Sequence, residues 1–109
     1  MITRDDFEKI EMRVGTIISA APFEKAKKPA YKLTIDFGES GIKNSSAQIT
    51  ALYSPDELTG KQVIAVVNFP VKQIANFFSE CLVLGVYDEN NNVVLLQPGK
   101  EVKNGCRVG

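Results

Sequence analysis

The stretch Lys61–Gly85, KQVIAVVNFPVKQIANFFSECLVLG, joins two apolar runs through a polar and aromatic middle. Val63–Val67 and Leu82–Leu84 are too dry to lie outside a core, so both read as strands of one β structure. Between them stand Asn68, Lys72, Gln73, Asn76, Ser79 and Glu80, interleaved with Phe69, Phe77 and Phe78. A connection that only reverses the chain needs about two to five small or polar residues. This one carries amides, a hydroxyl, charges and rings, which makes it the first candidate for a binding surface.

Upstream, Tyr31, Leu33, Ile35 and Phe37 alternate with Lys32, Thr34 and Asp36, the cleanest period-two signal in the chain. Gly38–Gly41 supplies turn chemistry, and Ser45–Thr50 resumes the alternation with Ala47 and Ile49 inward and Ser46, Gln48 and Thr50 outward. Met12–Pro22 is the first strand, with Gly15 marking a bulge or bend. Ahead of it, Thr3 reads as an N-cap followed by Asp5 and Asp6, and Phe7 and Ile10 fall at helical spacing, predicting a helix over about 4–11. Ser54-Pro55-Asp56-Glu57 has the form of a capping box with proline at the first helical position, and that helix ends by Gly60. Lys61–Asn68 is the fourth strand and Leu82–Tyr87 the fifth. Glu89–Asn92 then turns the chain into Val93–Leu96, and the remaining residues are turns around short extended pieces.

These elements predict an all-β domain: a five-stranded Greek-key barrel of the OB type, with short helices at the N-terminus and between strands three and four. One domain covers 1–109, with the barrel over 12–96 and a C-terminal extension over 97–109. Barrels of this type bind along strands two and three and their neighbouring loops. Here that face carries Lys32, Thr34, Ser46 and Gln48 beside the basic loop Lys25–Pro29.

Composition narrows the chemistry. The chain has no histidine, which excludes Ser-His-Asp and Cys-His nucleophile systems and imidazole metal ligands. Cys81 and Cys106 stand 25 positions apart without a C-x-x-C, so neither a zinc site nor any other cofactor is expected, and the chain does not read as an enzyme. No apolar run approaches the roughly 18 residues of a membrane span. The charged N-terminus lacks a signal-peptide pattern, so membrane insertion is not expected and the cytoplasm is. The formal net charge is zero, which argues against coating nucleic acid by bulk charge. The charge is nevertheless uneven: Lys25, Lys27, Lys28 and Lys32 fall within eight residues that hold no acid. They form either a solvated face or a local phosphate-binding patch.

Several ordered motifs carry a resemblance. They are Phe7-x-x-Ile10-x-x-Arg13-Val14-Gly15, Lys28-Pro29-Ala30-Tyr31-Lys32-Leu33, Asp36-Phe37-Gly38, Ser46-x-x-Ile49, Tyr53-x-x-x-Glu57-Leu58-x-Gly60-Lys61, Val67-Asn68-Phe69 and Ile74-Ala75-Asn76-Phe77-x-Ser79-Glu80. Together they resemble the tRNA-binding OB-domain family, which includes the domain appended to many methionyl-tRNA synthetases, and within it the stand-alone CsaA type. The resemblance spans essentially the whole chain. It departs at Pro70-Val71, where a proline pair is expected, and at Cys81, where an aliphatic residue is usual.

The resemblance implies a non-catalytic homodimer that binds tRNA and acts as an export-related chaperone toward unfolded or precursor polypeptides. It also implies a binding surface made of Lys28, Tyr31, Lys32, Ser46, Gln48, Asn68, Lys72, Gln73, Asn76, Phe77, Ser79 and Glu80. Physically, the lysines suit phosphates, whereas Gln48, Asn68, Gln73 and Asn76 offer donors and acceptors for base edges and ribose hydroxyls. Asn68, at a strand end, serves equally well to satisfy backbone groups. Phe77 is the ring expected outside for stacking, with Phe69 and Phe78 in the core. Tyr31 fits either place, and Ser79 and Glu80 either meet ligand or order the loop. The same amides, lysines and apolar residues would also suit an extended peptide.

Overall fold

The computed structural model describes residues 1–109. In chain order its elements are helix α1 (Arg4–Glu8), strands β1 (Met12–Pro22), β2 (Tyr31–Asp36) and β3 (Ile42–Ala47), and helix α2 (Pro55–Leu58). Strand β4 (Gln62–Val66), hairpin strands β5 (Lys72–Ile74) and β6 (Phe77–Ser79), strand β7 (Leu82–Val83), and hairpin strands β8 (Gly85–Tyr87) and β9 (Val93–Leu95) follow.

Both helices start where a side chain can satisfy free backbone N–H groups. The Thr3 hydroxyl accepts from the Asp6 N–H and the Asp6 carboxylate accepts from the Thr3 N–H; Ser54 and Glu57 repeat this reciprocal pair at α2. Strand β1 is the spine of an antiparallel sheet ordered β3-β2-β1-β4-β7. Its inward residues meet those of β2 and β4 in a core where Ile17, Leu33, Ile35, Phe37, Leu58, Val63 and Ala65 are fully buried. Strands β3 and β7 are the two edges, and no ladder joins them. The gap is bridged at one end, where the Glu80 N–H donates to the Asn44 carbonyl at 2.8 Å and the Ser45 hydroxyl donates to the Cys81 carbonyl at 2.9 Å. The result is a nearly closed five-stranded barrel, the OB-like architecture expected. The C-terminal residues lie along β1, with Val14 N–H donating to Cys106 and Val108 N–H to Met12.

The structure corrects several boundaries. Helix α1 stops at Glu8, short of the predicted 11, because the Asn68 side chain takes over the backbone groups of Lys9 and Glu11. The bulge in β1 falls between Ile17 and Ser19, not at Gly15. Gly15 serves close packing instead, since a Cβ there would sit 2.7 Å from both Ile35 and the Phe37 ring. Strand β3 starts at Ile42 and ends at Ala47, earlier than Ser45–Thr50, because Gly41 takes φ 91° and returns the chain to the sheet at once. The predicted fifth strand breaks after Val83. There Leu84 donates to Ile64 while accepting from Leu96, so the chain leaves β4 and pairs with β9. Leu82, read as core, is 47% exposed at the sheet edge. The connection Asn68–Glu80 is itself a hairpin, β5–β6, closed by Ala75-Asn76 with Ala75 at φ 55°.

Candidate functional site

Hairpin β5–β6 lies against β3 and is fastened by side chains. The Asn44 N–H donates to Glu80 Oε1 at 3.0 Å and the Ser46 N–H to Ser79 Oγ at 3.2 Å. Of the alternatives read from the sequence, Ser79 and Glu80 therefore take the loop-ordering role. Directly paired hairpin residues share a face, which puts Phe77 with Ile74 toward the barrel and Phe78 with Gln73 away from it. Phe77 packs edge-on against buried Phe23 with ring centroids 5.3 Å apart, and Lys32 Nζ sits 5.5 Å and 5.8 Å from the two centroids. The aromatic assignments are thus reversed: Phe77 is half-buried, while Phe69 and Phe78 are 55% and 53% exposed. A shift of one residue in hairpin phase exchanges the faces, and nothing within the FF pair sets that phase.

Two other expected site residues lie away from this surface. Tyr31 belongs to the core cluster, and its hydroxyl donates to the Tyr53 carbonyl at 2.7 Å. The Asn68 amide accepts from the Glu11 N–H at 3.0 Å and donates to the Lys9 carbonyl at 2.8 Å, tying the end of α1 to the barrel. Gln73 is exposed but donates to the Ala75 carbonyl across its own turn. Asn76 stands exposed at the hairpin tip.

The rest converge. Lys32, Ser46, Phe77 and Ser79 form one patch where β6 crosses the outer face of β2 and β3. Lys72 and Ser79 line a cleft of about 270 Å³ with Phe69, Pro70, Cys81 and Leu82. Lys28 and Gln48 line another of about 440 Å³. The second cleft also holds Thr50, Tyr87, Asn91 and Asn92, which the sequence reading placed only in strands and turns. Phe23, the partner of Lys32 and Phe77, was missed as well. An aromatic ending a strand beside an Asn-rich turn is the one local signal that pointed to Tyr87.

The electrostatics separate the two ends of the chain. Three ion pairs form, Arg4–Glu8, Lys9–Asp6 and Arg13–Glu11, all in the first thirteen residues. The Arg13 guanidinium, bonded to Glu11 at 2.6 Å, holds that carboxyl below its usual range. Lys25, Lys27, Lys28, Lys32 and Lys72 have no acidic partner, so their charge faces outward un-neutralised. Burial pushes the Cys81 thiol up to about 11, against the smaller opposing effect of its hydrogen bond with Ser45. No group of three or more His, Cys, Asp or Glu side chains is placed to hold a metal ion, and no helix is long and apolar enough to cross a membrane.

Residues 12–107 match the family described as "Putative tRNA binding domain". Among solved structures, the chain is 55% identical to a CsaA chaperone protein from Picrophilus torridus, with a TM-score of 0.94 and 100% of both chains covered. It is 50% identical to the chaperone CsaA from Bacillus anthracis, with a TM-score of 0.94, covering 100% of this chain and 99% of that one. It is also 38% identical, over 96% of its length, to a methionine–tRNA ligase of Methanococcoides burtonii, of which it spans only 15%. In sequence and in fold alike, the chain is CsaA-like and belongs to the tRNA-binding domain family.

Proposed function

We propose that this protein binds tRNA by shape and backbone charge, without a catalytic step of its own, as a homodimer in the cytoplasm. The observation that carries the reading is a set of lysines without ion-pair partners on separate segments of the barrel surface. Lys28 lies in the β1–β2 connection, Lys32 on β2 opposite Ser46 of β3, and Lys72 on β5. Un-neutralised ammonium groups on a rigid scaffold displace counterions from phosphates, giving affinity without sequence selection. Lys32 is held in place by two rings, so it meets a phosphate with little further ordering. A filter-binding titration of tRNA at several salt concentrations tests this. Affinity should fall linearly on a log–log scale, and Lys32→Ala with Lys72→Ala should reduce the slope by about two. Affinity that ignores salt, or ignores the double substitution, overturns the reading.

A second reading has its own support. The cleft lined by exposed Phe69, Pro70, Cys81 and Leu82 is chiefly apolar, and Val71 and Phe78 are exposed on the adjoining segment, which suits an apolar stretch of an unfolded or precursor polypeptide. The two CsaA neighbours are described as chaperones. Suppression of client aggregation at stoichiometric amounts, reduced by Phe69→Ser with Phe78→Ser, is the expected result. No suppression by the unaltered protein counts against it. For the dimer, helix α1 and the C-terminal extended pieces are the proposed contacts, and a light-scattering mass of one chain refutes it.

A further inference from the structure

Polar side chains carry a ligand only if their hydrogen-bonding capacity is not already spent within the protein. Asn44, Gln62, Asn68, Gln73, Gln97 and Asn104 all spend theirs: each side-chain amide donates to or accepts from another group of the chain. Five make no such bond: Asn76 and Asn90 stand exposed at the two hairpin turns, whereas Gln48, Asn91 and Asn92 line the single cleft of about 440 Å³ between the lysine loop and the β8–β9 turn. The turn does not need them. The Asp88 carboxylate accepts from the backbone N–H groups of Asn90 and Asn92 at 2.9 and 2.8 Å, which leaves the amide side chains free.

The other groups in the cleft complete a pattern. Lys28 is its only charged residue, and no carboxylate lines it. Tyr87 stands at its rim 74% exposed, a large ring with no packing reason to be held in water. Thr50 adds a hydroxyl with no partner. A ligand matching these groups has one anionic end, a flat π-face and a hydrogen-bonding edge with both donors and acceptors. A nucleotide has all three, and the volume falls within the range of about 300–1,000 Å³ in which small ligands bind. A base in a duplex hides both its face and its edge, so only an unpaired one fits.

We propose that this cleft binds one unpaired nucleotide. Lys28 meets its phosphate, the Tyr87 ring stacks on its base, and Gln48 and Asn92 bond the base edge. The site lies outside the face formed by β2, β3 and the β5–β6 hairpin. It rests on the tRNA-binding reading and adds to it: the protein takes hold of a splayed loop or terminal base as well as the folded shape.

The test is a nuclear magnetic resonance titration of the full-length, nitrogen-15-labelled chain with adenosine 5′-monophosphate, cytidine 5′-monophosphate and ribose 5-phosphate, beside a tRNA titration. Both nucleotides should shift the side-chain NH2 signals of Gln48, Asn91 and Asn92 and leave those of Asn68 and Gln73 in place. Ribose 5-phosphate should move only signals near Lys28. Tyr87→Ala, which alters an exposed residue, should abolish the nucleotide shifts and weaken tRNA binding about tenfold with the salt slope unchanged. Nucleotide shifts absent or confined to other residues, equal shifts with ribose 5-phosphate, or full tRNA affinity in Tyr87→Ala overturn the cleft and leave the tRNA reading standing. Unaltered protein that fails to bind tRNA overturns that reading, and the nucleotide assignment with it.

Discussion

Hairpins β5–β6 and β8–β9 are added to the same barrel with three residues in each strand, and their polar side chains are used in opposite ways. In the first, Gln73, Ser79 and Glu80 are turned back onto the protein, bonding its own turn and the edge of β3. In the second, the Asp88 side chain alone serves the turn; Tyr87 and Asn91 are left to solvent and the half-buried Asn92 amide bonds nothing in the protein. A run of amides and hydroxyls therefore does not identify a binding surface. In β5–β6 the groups left unspent are Lys72, Asn76 and the exposed Phe78.

The difference can be broken most severely at Gly85. A Cβ there would lie 2.5 Å from Val93 Cγ1 and 2.8 Å from the Val94 carbonyl oxygen, which is backbone and cannot swing aside. Gly85→Ala should force β8 from β9 and cost about 3 kcal/mol in denaturant unfolding. A loss below about 1 kcal/mol would mean that β8–β9 yields easily.

Next is the anchor of the other hairpin. Glu80→Ala leaves the Asn44 N–H without its carboxylate and should cost about 2.5 kcal/mol, with faster hydrogen exchange at Asn44. Gln48→Ala, on a side chain that bonds nothing, should stay within about 0.5 kcal/mol. Equal costs for the two would erase the distinction between spent and free groups.

Cys81 reports how tightly β6 and β7 shut against the barrel. Its thiol has an ordinary value of 9.0 and is raised to about 11 in the folded protein. The folded state thus holds the proton longer than the unfolded chain does. The corresponding stability is fully present below pH 9 and is lost as pH rises through 11, a fall of about 3 kcal/mol. Cys81→Ala should show a smaller alkaline loss by that amount in parallel unfolding titrations. Identical alkaline profiles would mean that the thiol is solvated and the seam open.

How legible these features are in the sequence follows from how local their causes are. The capping boxes at Thr3 and Ser54 each close over three residues, and Tyr31–Phe37 announces itself by alternation, so both helices and β2 are readable directly. The break at Leu84 is not, because it depends on Val93 and Val94 meeting Gly85 from a strand further along the chain. Phe77 and Phe78 are neighbours of one residue type, and only the pairing of β5 with β6 decides which turns inward. Lys32 and Gln48 are candidates in the sequence because the OB pattern selects the polar positions of strands two and three, and Lys28 because it falls in a basic loop without an acid. The roles of Asn68 and Glu80 depend on partners 57 and 36 residues away, and composition carries no trace of those distances.

Hydrogen exchange of the protein with and without tRNA tests the account most directly. Slowed exchange over 25–32, 46–50 and 72–80, with 103–108 unchanged, is the predicted footprint. Protection confined to the C-terminal residues along β1, with the lysine loop and β5–β6 unaffected, would contradict it.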